Sequence, residues 1–179
     1  MKEAVYEPSE DTFLMEKALP KNLTGKRVLE VGCGRGFLSV ECALRGGKVT
    51  AVDINENALN AAERLAVLKG VEVDLIESNL FEKVEGKFDL ILFNPPYVDS
   101  CFEGLDGEHA WAGGKKGREV IDKFLKEFKN YLNKEGVCLL LISSINEMKQ
   151  ELEEKGWIEI EKTRLMDGEE LFVMRFVHN

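Results

Sequence analysis

The feature that most constrains the fold is a short apolar segment with an abrupt end. Residues 88–93, FDLILF, are almost continuously apolar, which predicts a central parallel strand covered on both faces. The next four residues, called the NPPY segment here, are Asn94, Pro95, Pro96 and Tyr97. Neither proline has a backbone N–H group, so the hydrogen-bond ladder of a sheet cannot continue through them. The sequence therefore predicts a buried strand that ends in a rigid, polar turn.

Further predicted strands alternate with predicted helices along the chain. Strands are predicted at 27–31, 48–53, 71–77, 88–93 and 136–143, and helices near 9–19, 37–45, 55–69, 118–132 and 145–155. This alternation is typical of a mostly parallel α/β sheet with helices on both faces. Two last strands, joined at Asp167-Gly168, predict a hairpin that brings the sheet to seven strands and adds one antiparallel strand. A chain of 179 residues suits a single domain spanning 1–179.

Charge and cysteine usage narrow the classes of function. The chain has 24 Lys and Arg against 33 Asp and Glu, a formal net charge of -9. This balance argues against a nucleic-acid substrate, because nucleic-acid binders usually present basic patches to phosphates. The four cysteines contain no C-x-x-C pair and only two histidines accompany them, so no metal site is expected. Neither a signal peptide nor a membrane span is apparent, and we expect a cytoplasmic protein.

A glycine-rich turn follows the first predicted strand. Gly32, Gly34 and Gly36 stand in the sequence LEVGCGRGF, where glycines allow the backbone to approach a ligand and open a helix whose N–H groups face it. Such a turn can equally serve packing alone. The spacing G-x-G-x-G also differs from the G-x-G-x-x-G of dinucleotide-binding proteins. A NAD-dependent reductase is therefore the weakest interpretation.

Polar residues accompany the first three strands and support the ligand interpretation. Asp53 ends the second strand, where an acid can bind both hydroxyls of a ribose. Asn79 follows the third strand and is placed to meet an adenine edge. Glu30 lies inside the first strand, where a buried carboxylate needs a partner. Together these residues favour a nucleoside ligand at the carboxyl edge of the sheet.

This set of residues resembles the S-adenosylmethionine site of Rossmann-like, class I methyltransferases. The resemblance implies that Glu30 lies near the methionine amino group, that Asp53 binds the ribose and that Asn79 holds the adenine. It also implies that Ile54, next to Asp53, and Leu80, next to Asn79, belong to the cofactor site. The family commonly has Asp where this chain has Asn79, which keeps a side-chain acceptor and adds donors. The family also ends in a β-hairpin, as predicted here.

The NPPY segment offers two acceptors for one planar NH2 group. In such a sheet the fourth strand lies beside the first, so Asn94 would emerge next to the cofactor methyl group. The Asn94 side-chain carbonyl and the Pro95 backbone carbonyl can accept both N–H bonds, and Tyr97 can pack on the planar face. Accepting both bonds concentrates electron density on a poor nitrogen nucleophile and orients it. We therefore expect Asn94, Pro95, Pro96 and Tyr97 to be the catalytic residues, with Asn94 also touching the cofactor.

Two other stretches separate the possible substrates. N-P-P-Y occurs in methyltransferases that act on adenine amines in DNA or RNA and on glutamine amides in proteins. Residues 5–14, VYEPSEDTFL, and 110–124, AWAGGKKGREVIDKF, resemble the small archaeal and eukaryotic release-factor glutamine methyltransferases, relatives of bacterial HemK. The resemblance covers nearly the whole chain. It implies methylation of the glutamine in the Gly-Gly-Gln loop of a class-one peptide chain release factor.

The same resemblance assigns roles to two flanking segments. Residues 1–25 would form a cofactor-lid region in which Thr12 helps to close over S-adenosylmethionine. Residues 97–117 would form the substrate loop, with Trp111, Gly113 and Gly114 at the substrate entrance. Four acids and no Lys or Arg lie between Tyr97 and residue 109, which suits a basic protein loop better than a phosphate backbone.

The third strand is expected at an edge of the sheet. Residues 71–77 alternate apolar and polar side chains, and an edge strand can pair with another chain. The resemblance implies a small zinc-containing activator protein that docks there, although an ordinary edge strand covered by its own loop fits the sequence equally well.

Two alternatives to the glutamine methyltransferase stay open at this point. One is an adenine exocyclic-amine methyltransferase acting on DNA or RNA, which would need a basic groove near Tyr97. The other is a non-catalytic scaffold that binds the cofactor, and loss of methyl transfer with surviving cofactor binding in an Asn94→Ala variant would argue against it.

Overall fold

The computed structural model describes residues 5–97 and 117–179. The strands within these ranges are β1 Arg27–Val31, β2 Lys48–Asp53, β3 Val73–Glu77, β4 Phe88–Phe93, β5 Leu132–Ser143, β6 Ile158–Arg164 and β7 Glu170–Val177. The α-helices are α1 Glu10–Ala18, α2 Phe37–Leu44, α3 Glu56–Lys69, α4 Glu119–Glu127 and α5 Lys149–Glu154, and short 3-10 helices cover Phe128–Tyr131 and Ser144–Asn146. In the described ranges, none of these helices has the length and apolar character to cross a membrane.

The seven strands form one sheet in the order β3-β2-β1-β4-β5-β7-β6. Every neighbouring pair from β3 to β5 is parallel, whereas β7 runs antiparallel to both β5 and β6. The predicted mostly parallel seven-stranded sheet with a closing antiparallel hairpin is confirmed. The predicted neighbours β1 and β4 and the predicted edge position of β3 are confirmed as well.

Helices cover the sheet on both faces, as predicted. Along β4, Leu90 and Leu92 pack into one core with residues of α1 and α2, while Ile91 and Phe93 pack into the other with residues of α4 and α5. All four side chains are at most 2% exposed. A strand buried on both faces has to be apolar on both faces, which explains the sequence FDLILF.

Some element boundaries differ from the prediction. β5 begins at Leu132 instead of 136, and the helix predicted over 118–132 ends at Glu127 and continues as a 3-10 turn. The first part of β5 contains Glu135, which has φ +61. The pairing of β5 with β4 shifts register between Phe88 and Leu90. A polar, irregular start of this kind resembles a loop in sequence although it is part of the strand.

The helix predicted near 145–155 is also divided. A left-handed residue, Glu147 at φ +50, separates the 3-10 helix Ser144–Asn146 from α5. The hairpin turn was predicted correctly. Gly168 has φ +95, and the Leu165 N–H group donates to the Glu169 carbonyl at 2.8 Å to close the turn.

Candidate active site

The carboxyl ends of three neighbouring strands place the predicted site residues together. In the register of the sheet, Val31 lies beside Val52 on one side and beside Phe93 on the other. The residues that follow or end these strands, Gly32, Asp53 and Asn94, therefore leave the sheet at one edge.

The three glycines of the glycine turn differ in their surroundings. Gly32, Gly34 and Gly36 have φ values of +66, +52 and +76, which residues with side chains rarely adopt. Gly32 is exposed and Gly34 is half-buried, whereas Gly36 is buried. A Cβ atom on Gly36 would lie 2.6 Å from Cβ of Ala62 in α3, so this glycine lets the start of α2 pack closely on α3. Packing therefore accounts for Gly36, and the ligand interpretation stays a prediction for Gly32 and Gly34.

Asp53 is tied to the glycine turn and keeps room for further bonds. Its Oδ2 accepts from the Gly34 N–H group and its Oδ1 from the Asn55 N–H group, both at 2.9 Å. Burial raises the pKa of Asp53, and the bonds from these N–H groups oppose the rise. A carboxylate has about four acceptor positions. The backbone N–H groups of Gly34, Asn55 and Ile54 do not fill all of these positions, so Asp53 can still accept from a ribose hydroxyl.

Glu30 is a buried acid with a hydroxyl partner. Its carboxyl group accepts a hydrogen bond from the Ser39 hydroxyl of α2. Burial raises the pKa of Glu30 to about 8, and the charge of nearby Asp53 adds to the rise. A cation beside Glu30 would relieve this cost because it favours the ionised form. The site is chemically suited to an ammonium group.

The turn that follows β3 differs from those after β1 and β2 in its hydrogen bonds. Asn79 is exposed, and its Nδ2 atom donates to Glu82 Oε1 at 3.0 Å. Ser78, which the sequence analysis missed, is buried and accepts from the Lys83 N–H group while donating to the Leu80 carbonyl. This turn holds Leu80 half-buried at φ +50, whereas the Ile54 side chain after β2 is 70% exposed.

The NPPY segment is bound to an acid that the sequence analysis did not single out. Asp11 of α1 is only 3% exposed, and its Oδ2 atom accepts from Asn94 Nδ2 at 3.2 Å and from the Tyr97 hydroxyl at 3.4 Å. Its Oδ1 atom accepts from the Tyr6 hydroxyl and from the hydroxyl of buried Thr12, the latter at 3.3 Å. Asp11 therefore links the predicted lid region to the predicted catalytic residues.

The contact with Asp11 fixes which way the Asn94 amide faces. A carboxylate only accepts hydrogen bonds, so the arm of the amide that faces Asp11 has to be the nitrogen. The other arm, Oδ1 of Asn94, is buried and has no hydrogen-bond partner among the described residues. A buried acceptor without a partner is costly, and it is satisfied when a ligand supplies a donor.

The hydroxyl groups of Tyr6 and Tyr97 both donate hydrogen bonds to Asp11. Burial and the neighbouring Asp11 carboxylate raise the pKa values of both Tyr6 and Tyr97 above the ordinary value for tyrosine. Both hydroxyl groups therefore stay protonated over the physiological range and donate to the carboxylate.

The chain before α1 passes over the glycine turn. A Cβ atom on Gly34 would lie 3.9 Å from both Cβ and the carbonyl oxygen of Tyr6. Glu7 forms an ion pair with Arg35 beside this contact. These contacts place residues 6 and 7 beside the predicted cofactor turn.

The remaining predicted site residues lie outside the described residues. These are Trp111, Gly113, Gly114 and the acidic stretch between Tyr97 and residue 109, together with most of the 97–117 loop. Over 5–97 and 117–179, no cluster of His, Cys, Asp or Glu has the grouping of a metal site.

Known proteins similar to this chain are methyltransferases. The family model described as Methyltransferase small domain matches residues 9–162. A Methanocaldococcus jannaschii protein assigned as a protein N5-glutamine methyltransferase is 43% identical over 95% of this chain and 90% of its own length. Human methyltransferase HEMK2 is 35% identical over 92% of this chain and 80% of its own length. The eRF1 methyltransferase catalytic subunit of Schizosaccharomyces pombe is 29% identical over 93% and 85%, respectively.

Two solved methyltransferase structures share the fold of this chain. A Thermus thermophilus 16S rRNA methyltransferase, solved with AdoMet and guanosine, has a TM-score of 0.71 at 19% identity and covers 97% of this chain and 44% of its own. The ribosomal protein L11 methylase of Lactobacillus delbrueckii has a TM-score of 0.67 at 24% identity and covers 94% and 77%. At these identities the likeness concerns the fold.

The described residues fit the chemical groups of S-adenosylmethionine. Buried Glu30 is suited to the methionine ammonium group, and Asp53 retains acceptors for the ribose diol. The unpaired Oδ1 atom of Asn94 lies at the same edge of the sheet. With the family match, this fit leads to the assignment: the chain belongs to the small-domain methyltransferases and, within them, to the HemK-like protein N5-glutamine methyltransferases, with S-adenosylmethionine as cofactor.

Proposed function

We propose that this chain methylates the side-chain amide nitrogen of the glutamine in the Gly-Gly-Gln loop of a class-one release factor. The observation that carries the proposal is the buried, unpaired Oδ1 atom of Asn94, whose direction is fixed by Asp11. The assigned activities of the Methanocaldococcus and Schizosaccharomyces relatives, a glutamine and an eRF1 methyltransferase, support the choice of substrate.

The residues of the site act on the amide nitrogen by accepting its hydrogens. Asn94 Oδ1 accepts one N–H bond and the Pro95 carbonyl accepts the other, while Pro96 keeps the backbone rigid between them and Tyr97. Two accepted bonds raise electron density on the nitrogen and hold it in line for attack. S-adenosylmethionine, when bound, supplies the electrophilic methyl group. The amide nitrogen would bond to the methyl carbon as the sulfur–methyl bond breaks, which would leave S-adenosylhomocysteine, and the nitrogen would afterwards release one proton to solvent.

An adenine amine is the competing substrate, since it is also a planar NH2 group. The net charge of -9 disfavours binding of a polyanion. The experiment is methyl transfer from labelled S-adenosylmethionine to a cognate release factor, to its loop Gln→Ala variant, to bulk tRNA and to DNA. Label on the intact factor alone is the expected result. Label on nucleic acid alone would replace the glutamine assignment by the adenine one.

The two flanking segments have proposed roles in the same reaction. Residues 1–25 form the cofactor lid, supported by the contacts of Tyr6 and Glu7 with the glycine turn. Residues 97–117, with Trp111, Gly113 and Gly114, frame the substrate. A substrate that belongs to the translation machinery implies that the enzyme works in the cytoplasm.

We also propose that a small zinc-binding activator protein docks at residues 71–77, which include edge strand β3. Helix α3 packs beside this strand and carries Val67 and Leu68, which are 75% and 79% exposed. Adjacent exposed apolar side chains beside an unpaired strand edge suit a partner surface.

The test is binding of the purified partner to a double variant, Val67→Asp with Leu68→Asp. We expect at least about tenfold weaker binding, since burying a charge without a partner opposes association. Met166→Asp is the matched control, because Met166 is fully exposed at the distant hairpin turn. Unchanged affinity of the double variant would place the partner elsewhere.

A further inference from the structure

Tyr97, the last residue of the NPPY segment, is held at both of its ends. Its hydroxyl donates to Asp11, and its backbone carbonyl accepts from Asn146 Nδ2 at 3.0 Å. Asn146 is fully buried and lies in the 3-10 helix that directly follows β5. A residue 49 positions further along the chain thus binds the backbone of the segment.

Asn146 makes this contact with a fixed orientation. Its Oδ1 atom accepts from the Ser143 N–H group at 2.7 Å, and the Ser143 hydroxyl in turn accepts from the Ile145 N–H group at 3.2 Å. The Ser143 N–H group can only donate and the Tyr97 carbonyl can only accept, so the Asn146 amide satisfies both in one orientation. One buried side chain therefore caps the 3-10 helix and ties it to Tyr97.

Gly117 approaches the same carbonyl from another direction. It has φ +64, and a Cβ atom built on it would lie 1.8 Å from the Tyr97 carbonyl oxygen and 2.8 Å from Asn146 Nδ2. Any side chain at 117 would have to displace the Tyr97 backbone. Asn146 and Gly117, from separate parts of the chain, thus enclose one oxygen atom.

We propose that Asn146 and Gly117 together form an anchor for the Tyr97 carbonyl, and that Asn146 is a positioning residue for methyl transfer. Pro95 and Pro96 provide no backbone N–H groups, so the carbonyl contact adds a backbone restraint to a stretch with few donors of its own. The direction of the Tyr97 backbone determines where the Tyr97 ring lies relative to Asp11 and Asn94. This inference rests on the proposed function, because the anchor acts through the same residues.

Asn146→Asp is the decisive variant because it separates the two contacts. The new carboxylate still accepts from the Ser143 N–H group, but it cannot donate to the Tyr97 carbonyl. We expect kcat to fall by about tenfold to a hundredfold, which is the range for a misplaced catalytic group. The affinity for S-adenosylmethionine, measured by calorimetry, should stay unchanged. The ratio of variant to wild-type kcat should rise as the pH is lowered, because a protonated carboxyl group regains the donor.

Gly117→Ala tests the anchor independently, in case the first variant fails to fold. Asn130→Asp is the control for the charge, since Asn130 is exposed in the 3-10 helix Phe128–Tyr131, at the end of the sheet away from Asn94. Gly168→Ala is the control for strain, because Gly168 has φ +95 and no atom within 4 Å of a built Cβ. Both controls should keep wild-type kcat.

A crystal structure of each folded variant gives a readout that does not depend on any substrate. The expected result is a displaced Tyr97 carbonyl and a Tyr97 hydroxyl that has left Asp11. Wild-type kcat together with an unmoved Tyr97 overturns the proposed anchor. If the wild-type enzyme methylates no release factor, the proposed function fails, and the position of Tyr97 in the variants still decides whether the anchor exists.

Discussion

The Asn94 amide nitrogen donates to the Asp11 carboxylate over 3.2 Å, across 83 positions of sequence. Asp11 lies in a helix before the first strand, and Asn94 lies at the end of the fourth. Because the same carboxylate also accepts from Tyr6, Thr12 and Tyr97, it combines the lid region and the NPPY segment into one buried polar network. The donors that converge on Asp11 restrict the orientation of their side chains, and they leave Asn94 Oδ1 as the acceptor without a partner among the described residues.

Asp11→Ala is expected to lower kcat by roughly tenfold to a hundredfold, the cost of losing a hydrogen bond to a charged group. Without Asp11 the Asn94 amide can rotate and present its nitrogen to the substrate. The measurement is a double-mutant cycle with Asn94→Ala. If Asp11 acts through Asn94, its substitution costs little more kcat once Asn94 is absent. Fully additive losses would contradict this, and Glu10→Ala, at an exposed neighbouring acid, is the control.

Asn94→Ala is expected to reduce kcat by about a hundredfold to a thousandfold, as for other groups that stabilise a reacting centre by hydrogen bonds. The affinity for S-adenosylmethionine should stay close to that of the wild type, since Glu30 and Asp53 are intact. Steady-state kinetics and calorimetry check the two parts separately. Asn133→Ala is the control, because Asn133 bonds to Asp89 at the opposite end of the sheet. A fully active Asn94→Ala variant would show that methyl transfer does not depend on the Asn94 side chain, whereas a wild-type protein that binds S-adenosylmethionine and methylates none of the substrates would support the scaffold alternative.

The sequence was sufficient for the parts of the site that depend on strand ends. The bounds of β1, β2 and β4 match the prediction because each strand is an apolar run with a clear polar or glycine stop. Carboxyl ends of parallel strands share an edge, so Gly32, Asp53 and Asn94 could be expected to meet.

Residues that reach the site through tertiary packing could not be predicted in this way. Asp11 is one of two acids in the first turn of α1, and only the packing of that helix brings it to Asn94. Asn146 lies in a short polar stretch that looks like an ordinary helix start. The sequence did contain one indication of a role for Asp11, because this residue lies in the stretch VYEPSEDTFL that resembles the methyltransferase family. The same residues are also explained by the start of a helix, so Asp11 was not singled out.

Gly36→Ala is expected to lower the free energy of unfolding by about 2 kcal/mol or more, from strain at positive φ and overpacking together. The new Cβ atom would lie 2.6 Å from Cβ of Ala62, in the contact between α2 and α3. Gly70→Ala is the matched comparison, since Gly70 has φ +68 and open space around a built Cβ. It should cost only about 1 kcal/mol of strain. Urea unfolding followed by circular dichroism measures both, and equal losses would show that packing at Gly36 is unimportant.

The Glu30 carboxyl group makes the stability of the unliganded protein depend on pH. Its pKa is about 8 in the folded protein, raised mainly by burial, against an ordinary value of 4.5. The folded state therefore binds this proton more tightly than the unfolded state. Its contribution to stability is fully present below about 4.5 and is lost as the pH rises through about 8.

Glu30→Gln is expected to remove this dependence, because glutamine stays neutral. Relative to the wild type, the free energy of unfolding of the variant should rise by a few kcal/mol between acid and mildly alkaline pH. Urea unfolding at a series of pH values, without S-adenosylmethionine, gives the difference directly. Glu63→Gln, on the exposed face of α3, controls for the loss of a surface carboxylate. A difference in the free energy of unfolding that stays constant over this range would mean that Glu30 is already ionised in the folded protein. Groups other than a bound ammonium would then compensate for its burial.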